Sequence, residues 1–383
     1  MKHAVAKIAL LTSLATGCIG AFPEPLPQSG EPSFRSDASP SPPRDEIDAG
    51  LPGPQTFPRR PERPNPIGCR HEWPPACAID CDNEPPPNQL LWVPANENIA
   101  LPEGAYDYAC VLVEGDLSVR GFTQLTAGRF VLGAFGTIDG KGQGASGPGD
   151  GGNGGSAYGR GSGGGGASGI CRGGDSAALD QGETPAASAG ATVRDMDQPG
   201  GRGGRGGDLE RDGGPGGDGG ASLAIVAGAC VLAGTIDVSG DRGQDGGQGG
   251  DGGGGGGGAG GNIDLVCTDA EFNLSTLTFF ANGGRGGNGG TASDRDGFYY
   301  GGGGGGGAAG VVRLNIDLGS TVRNGRDEPI ADLPRFLADM RRRLSVLGGR
   351  GGSGGDAQNL AERGQNGADC RINVSVTELA RDD

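Results

Sequence analysis

The sequence predicts an all-β protein: a short right-handed parallel β-helix (β-solenoid) with glycine-rich excursions, preceded by a disordered proline-rich stalk. Three observations predict this fold class. A short phrase repeats along the chain, its apolar residues alternate, and glycine, 86 of 383 residues, collects between the copies. Because glycine buries no side chain and loses more backbone entropy on folding than any other residue, the chain cannot fill two ordinary cores. The ordered part must depend on repeated backbone hydrogen bonds and a thin apolar interior.

The N-terminal residues 1–17 have the form of a lipoprotein signal peptide. A basic start and an apolar run too short to remain as a membrane span precede Cys18. The sequence ATGC that ends at Cys18 resembles the bacterial lipobox, although Leu14 lies one place early and Ala15 stands where leucine is usual. The resemblance implies a lipid on Cys18 that anchors an exported chain to a membrane, at the outer membrane or cell surface. Ordinary cleavage after Ala21 is the alternative.

Two segments separate the predicted anchor from the repeats. Residues 18–66 are a lipid-anchored, proline-rich linker, because residues 22–66 hold thirteen of the 26 prolines and show no apolar period. Residues 67–98 form a small Cys-rich module that contains the sequence CRHEWPPACAIDC. The linker is expected to hold the remainder of the chain away from the membrane.

The cysteine count favours disulfides. With Cys18 carrying lipid, eight cysteines remain of nine, an even set in an oxidising compartment. We expect the four nearest the N-terminus to pair largely among themselves, although Cys69, Cys77 and Cys81 together with His71 also present a possible zinc ligand set of no standard spacing. The disulfide candidates are Cys69, Cys77, Cys81, Cys110, Cys171, Cys230, Cys267 and Cys370.

Residues 99–376 carry the repeats of the predicted solenoid, and residues 377–383 are a tail. A seven-residue phrase occurs as GDLSVRG, GTIDGKG and GTIDVSG, and continues with drift as LTFFANG and RLSVLGG. Alternation places one apolar column inward and a second column two residues later on the same face. The first column is Leu117, Ile138, Ile236, Phe279 and Leu344, and the second is Val119, Val238, Ala281 and Val346.

The glycine tracts lie at comparable places between phrases, so they are expected to be excursions from one corner of the stack. Flexible loops and packed polyglycine strands remain alternatives, and the GGxGG rhythm favours packing. One excursion, residues 327–344, spaces Ile330, Leu333, Leu337 and Met340 as a helix would, with Pro334 expected to kink or shorten it.

These motifs resemble bacterial glycine-rich surface lipoproteins built on a parallel β-helix and, more loosely, the glycine-rich domains of PE-PGRS proteins. The resemblance depends on GTIDVSG, NGGRGGNGG and GGGGGGGAGGNIDLV, and the helical PE module is missing. It implies surface display with adhesive or envelope roles and supplies no catalytic residues, metal site or cofactor.

Composition narrows the function classes. A net charge of −16 without a basic block argues against nucleic acid as a partner. We therefore predict a non-enzymatic exported lipoprotein with a structural, adhesive or envelope role. The alternative is a carbohydrate-active β-helix that binds or cleaves a cell-envelope or extracellular polysaccharide, with Asp139 and Asp237 stacked as candidate site residues.

Two weaker signals concern calcium and a flat ligand-binding surface. Asp218, Asp251 and Asp356 each end a GGxGGD segment that matches the start of the calcium nonapeptide repeat, but no copy follows at the required spacing. A flat ligand-binding or ice-binding array would need regular threonine ladders, and only Thr137, Thr235 and Thr278 align.

Overall fold

The computed structural model describes the repeat-bearing part of the chain, within a unit that spans Asn65–Asp383. The predicted signal peptide, linker and most of the Cys-rich module lie outside the described residues. The described residues are 90–144, 149–154, 156–157, 160–177, 186–192, 195–208, 212–247, 252–290, 301–317, 323–324, 328–329, 333–355, 363–369 and 373–377.

Most of the described strands belong to two parallel sheets, and the chain visits the sheets alternately. Sheet A contains, in spatial order, β1 (Leu90–Val93), β3 (Gly104–Val113), β5 (Phe122–Leu132), β9 (Ser222–Leu232), β11 (Ile263–Phe272), β13 (Val312–Asp317) and β17 (Asn373–Thr377). Sheet B contains β2 (Asn98–Leu101), β4 (Asp116–Val119), β6 (Thr137–Asp139), β10 (Thr235–Asp237), β12 (Thr278–Phe280) and β16 (Leu344–Ser345).

Two short antiparallel pairs accompany the parallel sheets. They are β7 (Ser156–Ala157) with β8 (Arg160–Gly161), and β14 (Arg323–Asn324) with β15 (Glu328–Pro329). The second pair joins sheet A through β14, which pairs with the C-terminal end of β11 at Glu271 and Phe272.

The inward columns predicted from alternation are confirmed in sheet B. Leu117, Ile138 and Ile236 are register partners, and the column continues through Phe279 to Leu344. All members of both predicted columns are buried, and side chains from sheets A and B pack into one apolar cluster. A parallel sheet whose inner face is fully apolar gains most of its stability from this burial.

Sheet A begins earlier than the sequence indicated. β1 starts at Leu90, within residues 67–98 that we assigned to the Cys-rich module, and pairs with β3 from Leu90↔Cys110 to Val93↔Val113. β1 is only four residues long and follows a proline-rich run, so its sequence shows no alternation. The strand can be recognised only from its pairing with β3.

The glycine tracts pack side by side with a three-residue period. The N–H groups of Gly254, Gly257 and Gly260 donate to carbonyls of the tract 301–310, at 2.9 Å each. Those of Gly253, Gly256 and Ala259 donate to the tract 200–207. A period of three is that of a polyproline II helix, so these tracts form a bundle of polyglycine II type, which we call the glycine bundle. The described glycine residues therefore form packed extended strands and not the flexible loops that were the alternative.

The two tracts richest in consecutive glycine occupy the interior of the bundle. The tract 252–261 exchanges backbone hydrogen bonds with six others, namely 162–169, 200–207, 213–220, 238–246, 281–290 and 301–310. A Cβ atom built on Gly256 would overlap the carbonyl oxygen of Gly165, so no larger residue fits there. Seven consecutive glycines are therefore a requirement of close backbone packing on every side.

One α-helix, α1 (Leu333–Arg343), is described. Phe336 and Met340 are buried in the common apolar cluster, where the ring of Phe336 lies 5.4 Å from that of Phe272. The helix is shorter than the predicted segment 327–344, because Glu328–Pro329 form β15 and α1 begins at Leu333. Pro334 lies in the first turn and does not kink the helix, because the first N–H groups of a helix have no partner within it. No helix among the described residues is long and apolar enough to cross a membrane.

Candidate functional site

Asp139 and Asp237 are register partners on the outward side of sheet B, as predicted. Each carboxylate accepts the backbone N–H two residues later, from Lys141 at 3.0 Å and from Ser239 at 2.9 Å. Asp side chains commonly form such turns, which end a strand and redirect the chain. The repeated aspartate of GTIDGKG and GTIDVSG therefore has a local structural role in leading the chain out of sheet B.

Charged groups gather where sheet B meets the glycine bundle. Partial burial raises the pKa of Asp241, and the nearby carboxylates of Asp218, Asp139 and Asp237 raise it further, while Lys141 opposes the shift. Within the described residues, no group of three His, Cys, Asp or Glu side chains could hold a metal ion.

A cavity of about 350 Å³ opens beside this cluster. Its lining includes Lys141, Asp237, Arg242, Phe280 and Arg285. Arg242 is held by Asp245 at 2.6 Å, so one of the cavity's three cations is already neutralised. With four carboxylates nearby, the cavity offers no strong charge preference.

The calcium candidates and the aligned threonines predicted from the sequence do not form a site among the described residues. Asp218 forms an ion pair with Arg202 at 3.1 Å, and the calcium candidates Asp251 and Asp356 lie outside the described residues. Thr137, Thr235 and Thr278 do stack, but they are half-buried, and the hydroxyls of Thr235 and Thr278 bond to each other at 3.0 Å.

One disulfide between two of the candidate cysteines is described completely. Cys230 of β9 bonds to Cys267 of β11 across neighbouring strands, with their Cα atoms 6.0 Å apart. Cys110 and Cys171 are also disulfide-bonded. Cys18, Cys69, Cys77, Cys81 and Cys370 lie outside the described residues, as does His71.

A second set of converging side chains lies on the outward side of sheet A. Four neighbouring strands align Gln124, Ala224, Asp264 and Arg313 in one row across the sheet. These side chains, with Phe122 and Val226, line a groove of about 560 Å³, which we call the sheet A groove. Its floor therefore combines planar polar groups with apolar surface.

Asp264 and Arg313 form a two-point ion pair in the floor of the groove. The Arg313 Nε atom donates to Asp264 Oδ1 at 2.8 Å, and a terminal nitrogen donates to Oδ2. The hydrogen bond to Asp264 raises the pKa of Arg313. Their side chains remain 19% and 41% exposed, so both still present hydrogen-bonding atoms to the groove. Bidentate pairing fixes the two planar groups relative to each other.

The wall of the sheet A groove is the segment 195–198, and Asn262 holds it in place. The Asn262 side chain is 2% exposed and donates to the carbonyls of Gln198 at 3.0 Å and Met196 at 3.4 Å. The Ser222 hydroxyl donates to the same Gln198 carbonyl at 2.7 Å. Asp195 and Asp197 line the groove from this wall.

One contact in this groove can be related to a repeat in the sequence. The segments AGGNIDLVC (259–267) and AAGVVRLNI (308–316) align so that Asp264 corresponds to Arg313, and the two residues are register partners in the structure. Nothing in the sequence near Met196 shows a period or motif, so the wall could not be found from it. No protein family model, curated protein or solved structure matches the chain.

Proposed function

We propose that the protein is an exported, lipid-anchored surface protein with a structural or adhesive role rather than an enzyme. The observation that carries the proposal is the glycine bundle. Its interior tracts bond to neighbours on all sides, while polar side chains at its outer positions face solvent. Such a scaffold holds many side chains at fixed spacing, which suits multivalent surface contact.

The two sheets, we further propose, are the two faces of a short right-handed parallel β-solenoid, with the glycine tracts leaving it at one corner. The alternation of strands between sheets and their common apolar cluster support this arrangement. A crystal structure of the mature chain tests it. Left-handed coils, or strands of sheets A and B that do not share a core, would contradict it.

Localisation is tested in a native-like host that produces the full chain. Metabolic labelling with a fatty acid should mark the wild-type protein and not Cys18→Ser, and protease added to intact cells should remove the labelled protein. Adhesion is then measured by comparing attachment of cells that display the chain with cells that carry Cys18→Ser. Equal attachment, or a wild type without lipid, would contradict the proposal.

The alternative, cleavage of polysaccharide, depends on Asp139 and Asp237. Their turn-forming hydrogen bonds account for both residues without catalysis. Loss of a measurable wild-type cleavage activity in Asp139→Asn and Asp237→Asn would favour the enzyme. Absence of cleavage by the wild type would leave the adhesive role.

A further inference from the structure

We propose that the sheet A groove binds a linear, uncharged polysaccharide that runs across the strands. This inference deepens the proposed adhesive function, because it assigns the surface and the ligand class through which adhesion would occur. It depends on the shape of the groove, its charge balance and the spacing of its floor.

The spacing of the floor suits a repeating ligand. Gln124, Ala224, Asp264 and Arg313 belong to adjacent parallel strands, and adjacent strands lie about 4.8 Å apart. A polymer with one sugar per strand would meet a new side chain at each step. The neighbouring row, which includes Thr126, Val226 and Val266, runs in the same direction and widens the track.

The chemistry of the floor suits sugar hydroxyls. The carboxylate of Asp264 accepts hydrogen bonds, the guanidinium of Arg313 donates them, and the Gln124 amide does both. Because the Asp264–Arg313 pair is bidentate, its remaining donor and acceptor sites are fixed in one plane. That arrangement matches two adjacent hydroxyls of a pyranose, one donating and one accepting.

The apolar part of the groove suits the C–H face of a sugar ring. Phe122 and Val226 lie on the outward side of sheet A and line the groove, and Val226 is 39% exposed. Met196 adds apolar surface from the wall. Burial of this surface against a ring would supply the favourable transfer free energy that hydroxyl contacts alone do not.

The charges that line the groove favour a neutral polysaccharide over an anionic one. Among the described lining residues, Asp195, Asp197 and Asp264 face one cation, Arg313, which Asp264 already neutralises. The chain as a whole carries −16. Uronate or sulfate polymers would therefore be repelled from the groove, whereas a neutral glucan meets no such penalty.

The test is affinity gel electrophoresis of the mature chain in three embedded polymers: a soluble neutral β-glucan, anionic polygalacturonate and cationic chitosan. The wild type should be retarded by the β-glucan and not by polygalacturonate. Phe122→Ala and Gln124→Ala should each weaken β-glucan binding by about tenfold, a loss of one contact worth about 1.4 kcal/mol. The matched control, Asp116→Asn at an exposed position of sheet B, should bind as the wild type does.

Stability is monitored by thermal unfolding. If Phe122→Ala fails to fold, Gln124→Ala decides, because it removes only a half-buried outward amide. Retardation by polygalacturonate or chitosan alone, or groove variants that bind β-glucan as the wild type does, would overturn the inference.

The cell-attachment assay separates this inference from the proposed function. Attachment that persists in groove variants lacking β-glucan binding overturns the groove as the adhesive surface and leaves adhesion itself standing. β-Glucan binding without attachment contradicts the adhesive role instead.

Discussion

Outward Asn and Asp side chains complete the hydrogen bonding at the surface of the glycine bundle. A strand on the outside of the bundle has N–H groups that no neighbouring backbone meets. An Asn or Asp at an outer position of the adjacent tract accepts them, because leaving such groups unpaired is costly. The pairs are Asp150 with Arg202, Asn153 with Arg205, Asn282 with Leu347, Asn288 with Ser353, Asn366 with Gly351 and Asp369 with Gly348.

The three-residue period also explains why an Arg is often paired with an Asp or Asn three residues later. Residues i and i+3 of a polyproline II tract lie on the same side. Accordingly, an Arg bonds to the Asp or Asn three residues later in several tracts, namely Arg172–Asp175, Arg205–Asp208, Arg242–Asp245 and Arg285–Asn288. Both arginines of GGRGGRGG thus have carboxylate partners, Arg205 in Asp208 of the same tract and Arg202 in Asp218 of another.

Gly256→Ala should destabilise the protein strongly. The new Cβ would overlap the carbonyl oxygen of Gly165, and both atoms belong to backbone that is bonded on several sides. Overpacking of this kind costs about 1–3 kcal/mol or more. Urea unfolding measures the loss. Gln244→Ala, at an exposed position of an adjacent tract, is the control and should change the free energy of unfolding by less than about 0.5 kcal/mol. Equal stability of both variants would contradict interior packing.

Asp241→Asn should stabilise the protein at pH 7. Because burial and neighbouring carboxylates raise the folded-state pKa of Asp241, the folded state binds its proton more tightly than the unfolded state does. Stability from this group is therefore lost as pH rises through the folded pKa and is present below the unfolded pKa. The variant should raise the melting temperature at pH 7 and not at pH 3. Asp107→Asn, at an exposed site, controls for the change in net charge, and an equal gain there would contradict the assignment.

At the scale of elements, the repeated strands could be predicted from the sequence, whereas the packing of the single helix could not. The columns through Ile138 and Ile236 could be predicted because side-chain alternation in a strand is strict. Helical spacing predicts α1 but not its contact with sheet A, because Phe336, which packs on Phe272, is not part of the predicted stripe. Helical spacing alone does not select among neighbouring apolar residues, since the supporting surface decides which ones are covered.

The same limit applies to the candidate sites. The stacking of Asp139 on Asp237 follows from the repeat, whereas their turn-forming hydrogen bonds depend on how the chain leaves the strand. The wall of the sheet A groove is fixed by Asn262, which meets residues 64 and 66 positions away. Contacts at that separation depend on the register of the whole stack, so a single sequence without repeats there gives no signal.

Replacing Cys230 and Cys267 with alanine should lower the free energy of unfolding by about 4 kcal/mol. The disulfide closes a loop with a sequence separation of 37, and loop-closure entropy of the unfolded chain sets the size of the effect. Urea unfolding compares the double variant with Val226→Ala, an exposed change on β9 whose effect should be less than about 0.5 kcal/mol. A double variant as stable as the wild type would show that β9 and β11 are fully constrained without the bond.

The sheets and the glycine bundle are stabilised by different interactions. The sheets are stabilised by a shared apolar cluster, whereas the glycine bundle buries almost no side chains and depends on its network of backbone hydrogen bonds. Each ordered glycine carries a high entropic cost. The bundle can therefore form only where the sheets hold the ends of the tracts at fixed positions, which reduces the entropy that remains to be lost.

Hydrogen exchange on the whole chain tests this coupling. The amides of residues 253–258 each donate to a backbone carbonyl, so they should exchange slowly, at rates set by the opening of the sheets. The turn at Phe135, which is 92% exposed, is the internal control and should exchange quickly. Gly256→Ala should accelerate exchange throughout the bundle while amides of β5 remain protected, because the apolar cluster persists. Exchange of residues 253–258 as fast as that of the turn would show that the tracts are flexible loops in solution.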